Sequence, residues 1–269
     1  MEAFFRHLYE TTGYNFSIFY DRRDELNFVH GLGVSLELMA ISLAGSLVIG
    51  IVGAWLGGMS SRVVRRSVRI YIQALRNTPP LIQLYFFFFA LGSVLSVVGP
   101  NGRPIPLLSN FTWACIGLSA VAGAFNIEIF RAGIESVPRS IRDAATALGL
   151  SQTKAFFLVI LPLAFRLCLP ALNNNLVNLL KSTTMAYAIG VPEVLYVSAQ
   201  IWSDEFNATE MMLVVLANEK ILDSTSRRSI DPTASQAVFY LGAEDWTGAL
   251  DQVACEVIQP GTESHPDEE

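Results

Sequence analysis

The stretch Gly31–Leu56 reads GLGVSLELMAISLAGSLVIGIVGAWL and holds a single charged residue, Glu37. A helix needs about 20 mostly apolar residues to cross the hydrocarbon core of a membrane, so this stretch is long enough for one span. Two further stretches resemble it: Leu81–Val98 has no charged residue, and Phe111–Phe130 has only Glu128. Three such segments indicate a multi-pass membrane protein rather than a water-soluble domain.

The composition agrees with a membrane protein. Hydrophobic residues make up 52% of the chain and charged residues 16%, whereas soluble domains have about 25% charged residues. The net charge of −6 says little about partners, because the acidic residues collect at the two ends, but the apolar, weakly charged body argues against the basic surface that a nucleic-acid-binding protein needs. We therefore expect membrane lipid, and no nucleic acid, among the partners.

Two later segments are less apolar. Leu163–Ile189 carries Pro170, four asparagines and Lys181, and polar groups at membrane depth face a bundle interior or a water-filled cavity. A fifth span would begin near Ala208, but the apolar run Met211–Ala217 is too short to cross. The expected fold class is all-α, a multi-pass membrane helix bundle with four clear spans and an incomplete fifth.

Basic residues alternate among the short connections. The connection Gly57–Thr78 holds five arginines, the connection Gly99–Asn110 holds only Arg103, and basic residues return after Phe130. Because basic loops stay in the cytoplasm, we expect the first and third connections inside and the N-terminus outside. Residues 1–30 form a periplasmic or interfacial segment, and the sequence does not decide between a helix and a strand there.

The third connection, residues 131–162, is too polar to cross the bilayer. Ile141–Leu148 is rich in helix formers, and Gly149 is a typical residue at the end of a helix. A second short helix is expected to start at Ser151 as N-cap and to run to Pro162. Two short helices joined at a glycine turn therefore lie inside a cytoplasmic loop.

The same connection contains a spaced motif: Asp143-Ala144-Ala145, three residues, Gly149, nine residues, then Val159-Ile160-Leu161-Pro162. It resembles the EAA loop of the permease subunits of ABC importers, whose pattern is Glu-Ala-Ala, three residues, Gly, nine residues and Ile-x-Leu-Pro. Asp143 stands for the glutamate and Val159 for the isoleucine. Three flanking runs are similar to the polar-amino-acid uptake permeases, and the resemblance covers roughly Gly31 to Gln200. These runs are EIFRAGI at 128–134, LRNTPPL at 75–81 and LKSTT at 180–184.

The resemblance implies the MetI-like fold of ABC importer permeases and a subunit that moves an amino acid or close derivative by alternating access. Such a chain is not an enzyme and holds no cofactor, since ATP binds to a partner, and no catalytic or metal-ligating constellation is expected. The implied partners are an ABC ATPase dimer, a second permease subunit and a periplasmic solute-binding protein, at the bacterial inner membrane. The residues expected to couple to the ATPase are Asp143, Ala144, Ala145, Gly149, Leu161 and Pro162.

Five polar residues within the spans are candidates for a solute path. They are Glu128, Asn126, Asn174, Asn178 and Lys181. Buried acids in membranes are often functional, but Glu128 has the alternative of pairing with Arg131 at the end of its helix. The asparagines have the alternative of interhelical hydrogen bonds.

The C-terminal part departs from the family pattern. Residues 31–217 are expected to form the permease domain, whereas residues 218–269 form an atypical polar, acidic tail for which disorder is an open alternative. A change of reading frame or a truncation would explain this tail, and a genuine accessory segment is the alternative. The rival functions are a truncated, non-functional permease remnant and a secondary transporter driven by an ion gradient, which would not explain the motif at Asp143–Pro162.

Overall fold

The computed structural model describes residues 2–98 and 104–229, so residues 230–269 of the expected tail at 218–269 lie outside the described residues. The helices are α1 (Glu2–Thr12), α2 (Arg22–Gly57), α3 (Arg62–Arg76), α4 (Pro80–Val94), α5 (Asn110–Ser136), α6 (Arg139–Ala147), α7 (Gln152–Ile189), α8 (Val194–Glu205) and α9 (Ala208–Ser229). An antiparallel hairpin of β1 (Ser96–Val98) and β2 (Pro104–Pro106) lies between α4 and α5.

Helices α2, α5 and α7 are long and apolar enough to cross a membrane, whereas α4 is apolar but shorter. Helix α4 ends at Val94, because Ser96–Val98 joins the hairpin, so the predicted second span extends too far at its C-terminal end. The count of four spans therefore stays a prediction. The first connection, expected only as a basic loop, contains the 15-residue helix α3.

The centre of the bundle is the contact between α2 and α5. One side of α2 carries small residues at helical spacing, and these are buried: Gly31, Ser35, Ser42, Ser46, Gly50 and Gly53. A Cβ atom added to Gly50 would lie 2.6 Å from the Cβ of Asn126 on α5. Small residues let two helix backbones approach closely inside a membrane, and this row positions α5 along α2.

Helix α7 packs against α5 from the other side. Gly133 of α5 leaves no room for a Cβ beside Cys168 of α7, and the Cys168 thiol donates a hydrogen bond to the Ile129 carbonyl at 3.1 Å. The helix does not stop at Pro162 as expected. A π turn at Phe156–Ile160 precedes this proline, which lacks an N–H group, and the helix continues through it.

The N-terminal segment is helical in α1, and α2 begins at Arg22 with Asp21 as its N-cap, well before the predicted start of the span at Gly31. Polar contacts tie this end of the chain to α9. The Asn207 side-chain amide donates to the Asn15 carbonyl at 2.9 Å, and a Glu210 carboxylate oxygen accepts from the Asn15 amide at 3.2 Å.

Helix α9 passes from its apolar first half into the polar second half without a break. The expected boundary between residues 217 and 218 is therefore a change of polarity inside one helix.

Candidate functional site

The predicted coupling loop forms a short helix fixed to the end of a spanning helix. Helix α6 follows α5 after Val137 and Pro138, and the Arg142 guanidinium donates to the Ile134 carbonyl of α5. Gly149 has a φ of +78°, a left-handed conformation that glycine adopts without strain. The Ser151 hydroxyl then accepts the Lys154 amide as N-cap. The predicted glycine turn and serine cap are both present.

The side chains of α6 divide into a buried and an exposed set. Ala145 is 3% exposed and packs inside the chain, whereas Leu148 is 82% exposed. Asp143 and Ala144 are exposed beside Leu148. The surface available to a partner therefore includes Asp143, Ala144 and the C-cap residue Leu148, whereas Ala145 packs against the rest of the chain.

The start of α7 connects this loop to the bundle. Leu161 packs against a buried cluster that includes Phe130 of α5 and Ala54 of α2. The rings of Phe157 and Trp55 lie 6.0 Å apart between centroids. The start of α7 is therefore packed against both α5 and α2.

A cavity of about 360 Å³ lies between α4, α5 and α7. Its lining residues are Pro80, Leu118, Val121, Ala122, Phe125, Asn175, Asn178, Leu179, Lys181 and Ser182. One wall is apolar and comes from α5, and the opposite wall, from α7, carries amide, ammonium and hydroxyl groups. Ligand pockets usually have volumes from about 300 to 1,000 Å³, so this cavity is large enough for a small solute.

An ion pair lies next to the cavity. The Arg76 guanidinium pairs with the Glu128 carboxylate, and the same guanidinium lies 5.0 Å from the centroid of the Phe125 ring. The alternative of a pair between Glu128 and Arg131 is therefore wrong, since Arg76 of α3 supplies the partner. Both side chains are about one-third exposed, at 38% and 33%.

A second ion pair involves Lys181, which lines the cavity. The Lys181 ammonium lies 3.8 Å from an oxygen of Asp223 on α9, and the two side chains are 46% and 24% exposed. The polar second half of α9 thus contributes a charge next to a residue of the predicted solute path. Each of the two basic groups near this cavity faces a carboxylate.

The asparagines separate into different roles. Asn126 is buried; its amide nitrogen donates to the Ser46 hydroxyl at 3.1 Å, and its oxygen accepts from Asn175 at 2.7 Å. This chain of bonds links α2, α5 and α7. Asn178 lines the cavity, whereas Asn174 is exposed outside it.

The structure thus brings Asn178 and Lys181 together, with Glu128 and Asn126 beside them, and leaves Asn174 apart. Phe125 and Ser182, which also line the cavity, are absent from the predicted set. Their signal in the sequence is weak but present: Phe125 precedes Glu128 by one helical turn, and Ser182 follows Lys181. Nothing local in the sequence predicts that Arg76 reaches Glu128.

Residues 46–217 match the family of binding-protein-dependent transport system inner membrane components. The chain is 30% identical over 187 residues to the glutamine transport system permease protein GlnP of Escherichia coli (strain K12), which covers 70% of this chain and 82% of that protein. It is 31% identical over 164 residues to the L-cystine transport system permease protein TcyB of Bacillus subtilis (strain 168), covering 61% and 66% of the two chains.

Solved structures show the same fold. A crystal structure of an amino acid ABC transporter with histidines aligns with a TM-score of 0.65 at 26% identity, over 76% of this chain and 91% of that one. An inward-facing structure of the MetNI methionine ABC transporter aligns with a TM-score of 0.63 at 20% identity, over 81% and 99% of the two chains. The expected all-α fold of the ABC importer permease type is therefore confirmed. This chain belongs to the family of inner membrane components of binding-protein-dependent transport systems, as the motif at Asp143–Pro162 predicts.

Proposed function

We propose that the chain is the membrane-spanning subunit of an ATP-driven importer that moves an amino acid or a close derivative into the cell. The observation that carries this proposal is the exposed helix α6, which is bonded to the end of α5 and continuous in packing with α7. The sequence contains no G-x-x-x-x-G-K-[ST] loop that would hold phosphates, so ATP would bind to a separate ATPase. A helix fixed in this way suits the transfer of motion from that ATPase. The names of the relatives, which concern glutamine and L-cystine, support an amino-acid-like solute.

The ATPase would dock on the exposed side of α6. Leu148, the C-cap residue of α6, is an apolar side chain that is 82% exposed, and an anchor that fills a partner's pocket loses binding energy when it is truncated. Asp143 and Ala144 flank it and leave space for close approach. Ala145, Gly149, Leu161 and Pro162 would act through the shape and fixation of the loop rather than by touching the ATPase.

The solute would pass through the cavity between α4, α5 and α7. An amino acid carries one carboxylate and one ammonium group, so it needs both acceptors and donors but no net charge from the wall. The cavity offers Asn178, Ser182 and the Lys181 ammonium, and the charges beside it are paired. A wall of balanced charge favours a zwitterion over an ion of single sign, because a lone opposite charge would attract ions instead.

The basic connections would face the cytoplasm and the N-terminus the outside. A periplasmic solute-binding protein would then deliver the solute to the outer ends of the spanning helices. A second permease subunit, either the same or a similar chain, would complete the translocation path.

The remnant hypothesis has one observation in its favour, because α9 is polar from Asn218 onward and is not among the helices apolar enough to cross. Its contacts with Asn15 and Lys181 nevertheless integrate it into the bundle. Uptake measurements separate a remnant from a working subunit.

The test is reconstitution of the chain with its ATPase and solute-binding protein in vesicles, with labelled amino acids and ATP inside or outside. We expect ATP-dependent uptake, and we expect Leu148→Ser to weaken binding of the ATPase by about fivefold or more, a loss of about 1 kcal/mol typical of an interface anchor. Leu26→Ser is the matched control, because Leu26 is an exposed leucine at the opposite end of the bundle.

Uptake that proceeds without the ATPase would favour a secondary transporter. Failure of the chain to bind the ATPase, with normal folding, would favour the remnant. Equal loss in the two leucine variants would contradict docking on α6.

A further inference from the structure

Helix α3 carries a row of arginines that takes no part in the site described above. Its sequence, RVVRRSVRIYIQALR, contains no acidic residue. Arg62, Arg65, Arg66 and Arg69 recur at spacings of three and four, so they share one side of the helix. All four are exposed, and together with Ile70 and Gln73 they line a concave surface of about 520 Å³.

The opposite side of α3 is fixed to the bundle, so the arginine side cannot turn inward. Val64, Val68, Tyr71 and Leu75 are partly buried at helical spacing. The Tyr71 hydroxyl donates a hydrogen bond to the Ala120 carbonyl of α5 at 2.8 Å. Among the described residues, no carboxylate forms an ion pair with any of the four arginines.

A third side of the helix is apolar and exposed. Val63 is 75% exposed and Ile70 is 56% exposed; they are seven positions apart and therefore on one side, next to the arginines. Helices that lie in the membrane interface present apolar side chains to the acyl boundary and arginines to the headgroups. The apolar stems of arginine also let the charged group reach outward from such a position.

The position of α3 in the chain holds it at the membrane surface. Four residues separate it from the end of α2 and three separate it from the start of α4 at Pro80, and both neighbours are apolar helices of the bundle. A helix so connected cannot move away from the bilayer. A partner that contacts both its arginines and its exposed valine and isoleucine must present negatively charged groups next to an apolar surface.

We propose that the side of α3 formed by Arg62, Arg65, Arg66 and Arg69 is a binding surface for the phosphate headgroups of anionic phospholipids. Guanidinium groups bind phosphate oxygens in a bidentate fork, and basic segments next to a membrane are attracted to anionic lipid. Val63 and Ile70 contact the upper acyl chains. A soluble acidic protein would satisfy the arginines but leave this apolar strip in water, and for that reason lipid is the better partner.

Lipid binding here has a route to the solute cavity. Arg76 occupies the last turn of the same helix, pairs with Glu128 and lies over the Phe125 ring. Headgroups that hold α3 in place thereby hold the guanidinium beside the cavity. Transport by the importer should therefore depend on the anionic lipid content of the membrane.

The test is native mass spectrometry of the intact permease–ATPase complex with added phosphatidylglycerol or phosphatidylcholine. We expect the wild-type complex to prefer phosphatidylglycerol, and we expect Arg66→Gln to weaken its tightest phosphatidylglycerol site about fivefold, the effect of one arginine near an anionic surface. The quadruple glutamine variant of the four arginines should lose the preference, and the quadruple lysine variant should keep most of it. Inorganic phosphate at the same concentration should not displace the lipid.

The control is Arg22→Gln, which removes an exposed arginine from the start of α2 and should leave the preference unchanged. The quadruple glutamine variant is read only where its complex with the ATPase is intact, and the single variant Arg66→Gln covers the case in which the quadruple variant does not fold. An unchanged preference in the glutamine variants would overturn the proposal. So would an equal loss in Arg22→Gln, or a loss of ATPase binding in Arg66→Gln with the lipid preference intact.

Discussion

At the scale of residues, the ion pair between Lys181 and Asp223 provides a direct test of the solute path. Both side chains are partly exposed, so the pair contributes at most about 1 kcal/mol to stability. Asp223→Asn leaves the Lys181 ammonium without its carboxylate and makes the cavity wall more positive. We expect uptake of glutamate relative to glutamine to rise by up to about fivefold, the equivalent of 1 kcal/mol, with little change in thermal stability.

The measurement is competitive uptake of the two labelled solutes by reconstituted importer. Asp204→Asn is the matched control, since Asp204 is an exposed aspartate away from this cavity. A ratio that moves equally in both variants would show that the effect comes from overall charge and not from Lys181.

Glu193 gives a prediction about pH. Its side chain is buried and caps α8 by accepting the Leu195 and Tyr196 amides at 2.9 and 2.8 Å. Burial raises the pKa of this carboxyl from 4.5 to about 7, and the nearby Glu219 also raises it. Since the folded pKa lies above the unfolded one, its contribution to stability is complete below pH 4.5 and is lost as the pH rises through about 7.

We therefore expect the unfolding temperature of the purified protein to fall between pH 5 and 7.5. The free energy involved is at most about 3 kcal/mol. Glu193→Gln keeps one acceptor for the cap and should flatten this profile, whereas Glu10→Gln, at an exposed position of α1, should not. A variant profile that is parallel to the wild type would assign the pH dependence to other groups.

The residues of the site were predictable from the sequence only in part. Asn178 and Lys181 are predictable because they are polar residues in an otherwise apolar span, which is a property of one segment alone. The partners of Glu128 and Lys181 are 52 and 42 positions away along the chain, at Arg76 and Asp223. Local patterns contain no information about such pairings. The helical spacing of Asn174 with Asn178 and Lys181 predicts that it faces the same way, but the Asn174 side chain is exposed outside the cavity.

At the scale of elements, the contact between α2 and α5 depends on glycine at a defined position. An alanine Cβ at Gly50 would lie 2.6 Å from the Asn126 Cβ, whereas at Gly33 nothing lies within 4 Å. We expect Gly50→Ala to destabilise the protein by about 1 to 3 kcal/mol, since overpacking forces the helices apart. Gly33→Ala, the matched control on the same helix, should be neutral or stabilising by up to about 1 kcal/mol.

Thermal or denaturant unfolding in one detergent measures both variants. Equal stability of Gly50→Ala and Gly33→Ala would contradict the prediction, because it would mean that α2 and α5 accommodate the extra methyl group without loss of free energy. The hydrogen bond from Asn126 of α5 to Ser46 of α2 joins the same two helices. It would be lost if the alanine at position 50 pushed them apart.

Some secondary-structure elements of this chain are well predicted by the sequence and others are not. The stop at Gly149 and the cap at Ser151 follow from backbone chemistry, and both appear in the structure. Helix α3 was expected only as a basic loop, because its arginines dominate its composition. Its partly buried residues recur with a helical period. This period indicates a packed side of the helix only when α5 is known to lie beside it.

At the scale of the whole molecule, the arrangement of basic connections predicts an orientation that labelling can test. We expect a cysteine at Leu148 to react with a membrane-impermeant thiol reagent only from the cytoplasmic side, and a cysteine at Tyr14 only from the periplasmic side. Both positions are exposed, and the cysteines of the described residues, Cys115 and Cys168, are buried. Labelling of the two sites from the same side would contradict the orientation.

The number of spans was harder to predict than the family. Hydropathy identifies α2, α5 and α7 because each contains an apolar stretch long enough to cross a membrane. Helix α9 belongs to the same bundle but changes from apolar to polar after Ala217. Hydropathy therefore does not predict a span there, although the segment is one continuous helix. The spaced motif at Asp143–Pro162 is independent of this disagreement, which explains why it predicts the family correctly.

The unbroken run of α7 has a mechanical consequence. From the π turn that ends at Ile160 to Asn178 the helix is about 27 Å long, at about 1.5 Å per residue. If the π turn acts as a pivot, a swing of about 5° there carries the Asn178 amide sideways by about 2 Å, which is the difference between a made and a missing hydrogen bond. On the proposed coupling, a small movement at the α6 end of α7 would therefore be amplified along the helix into the gain or loss of one contact with the cargo.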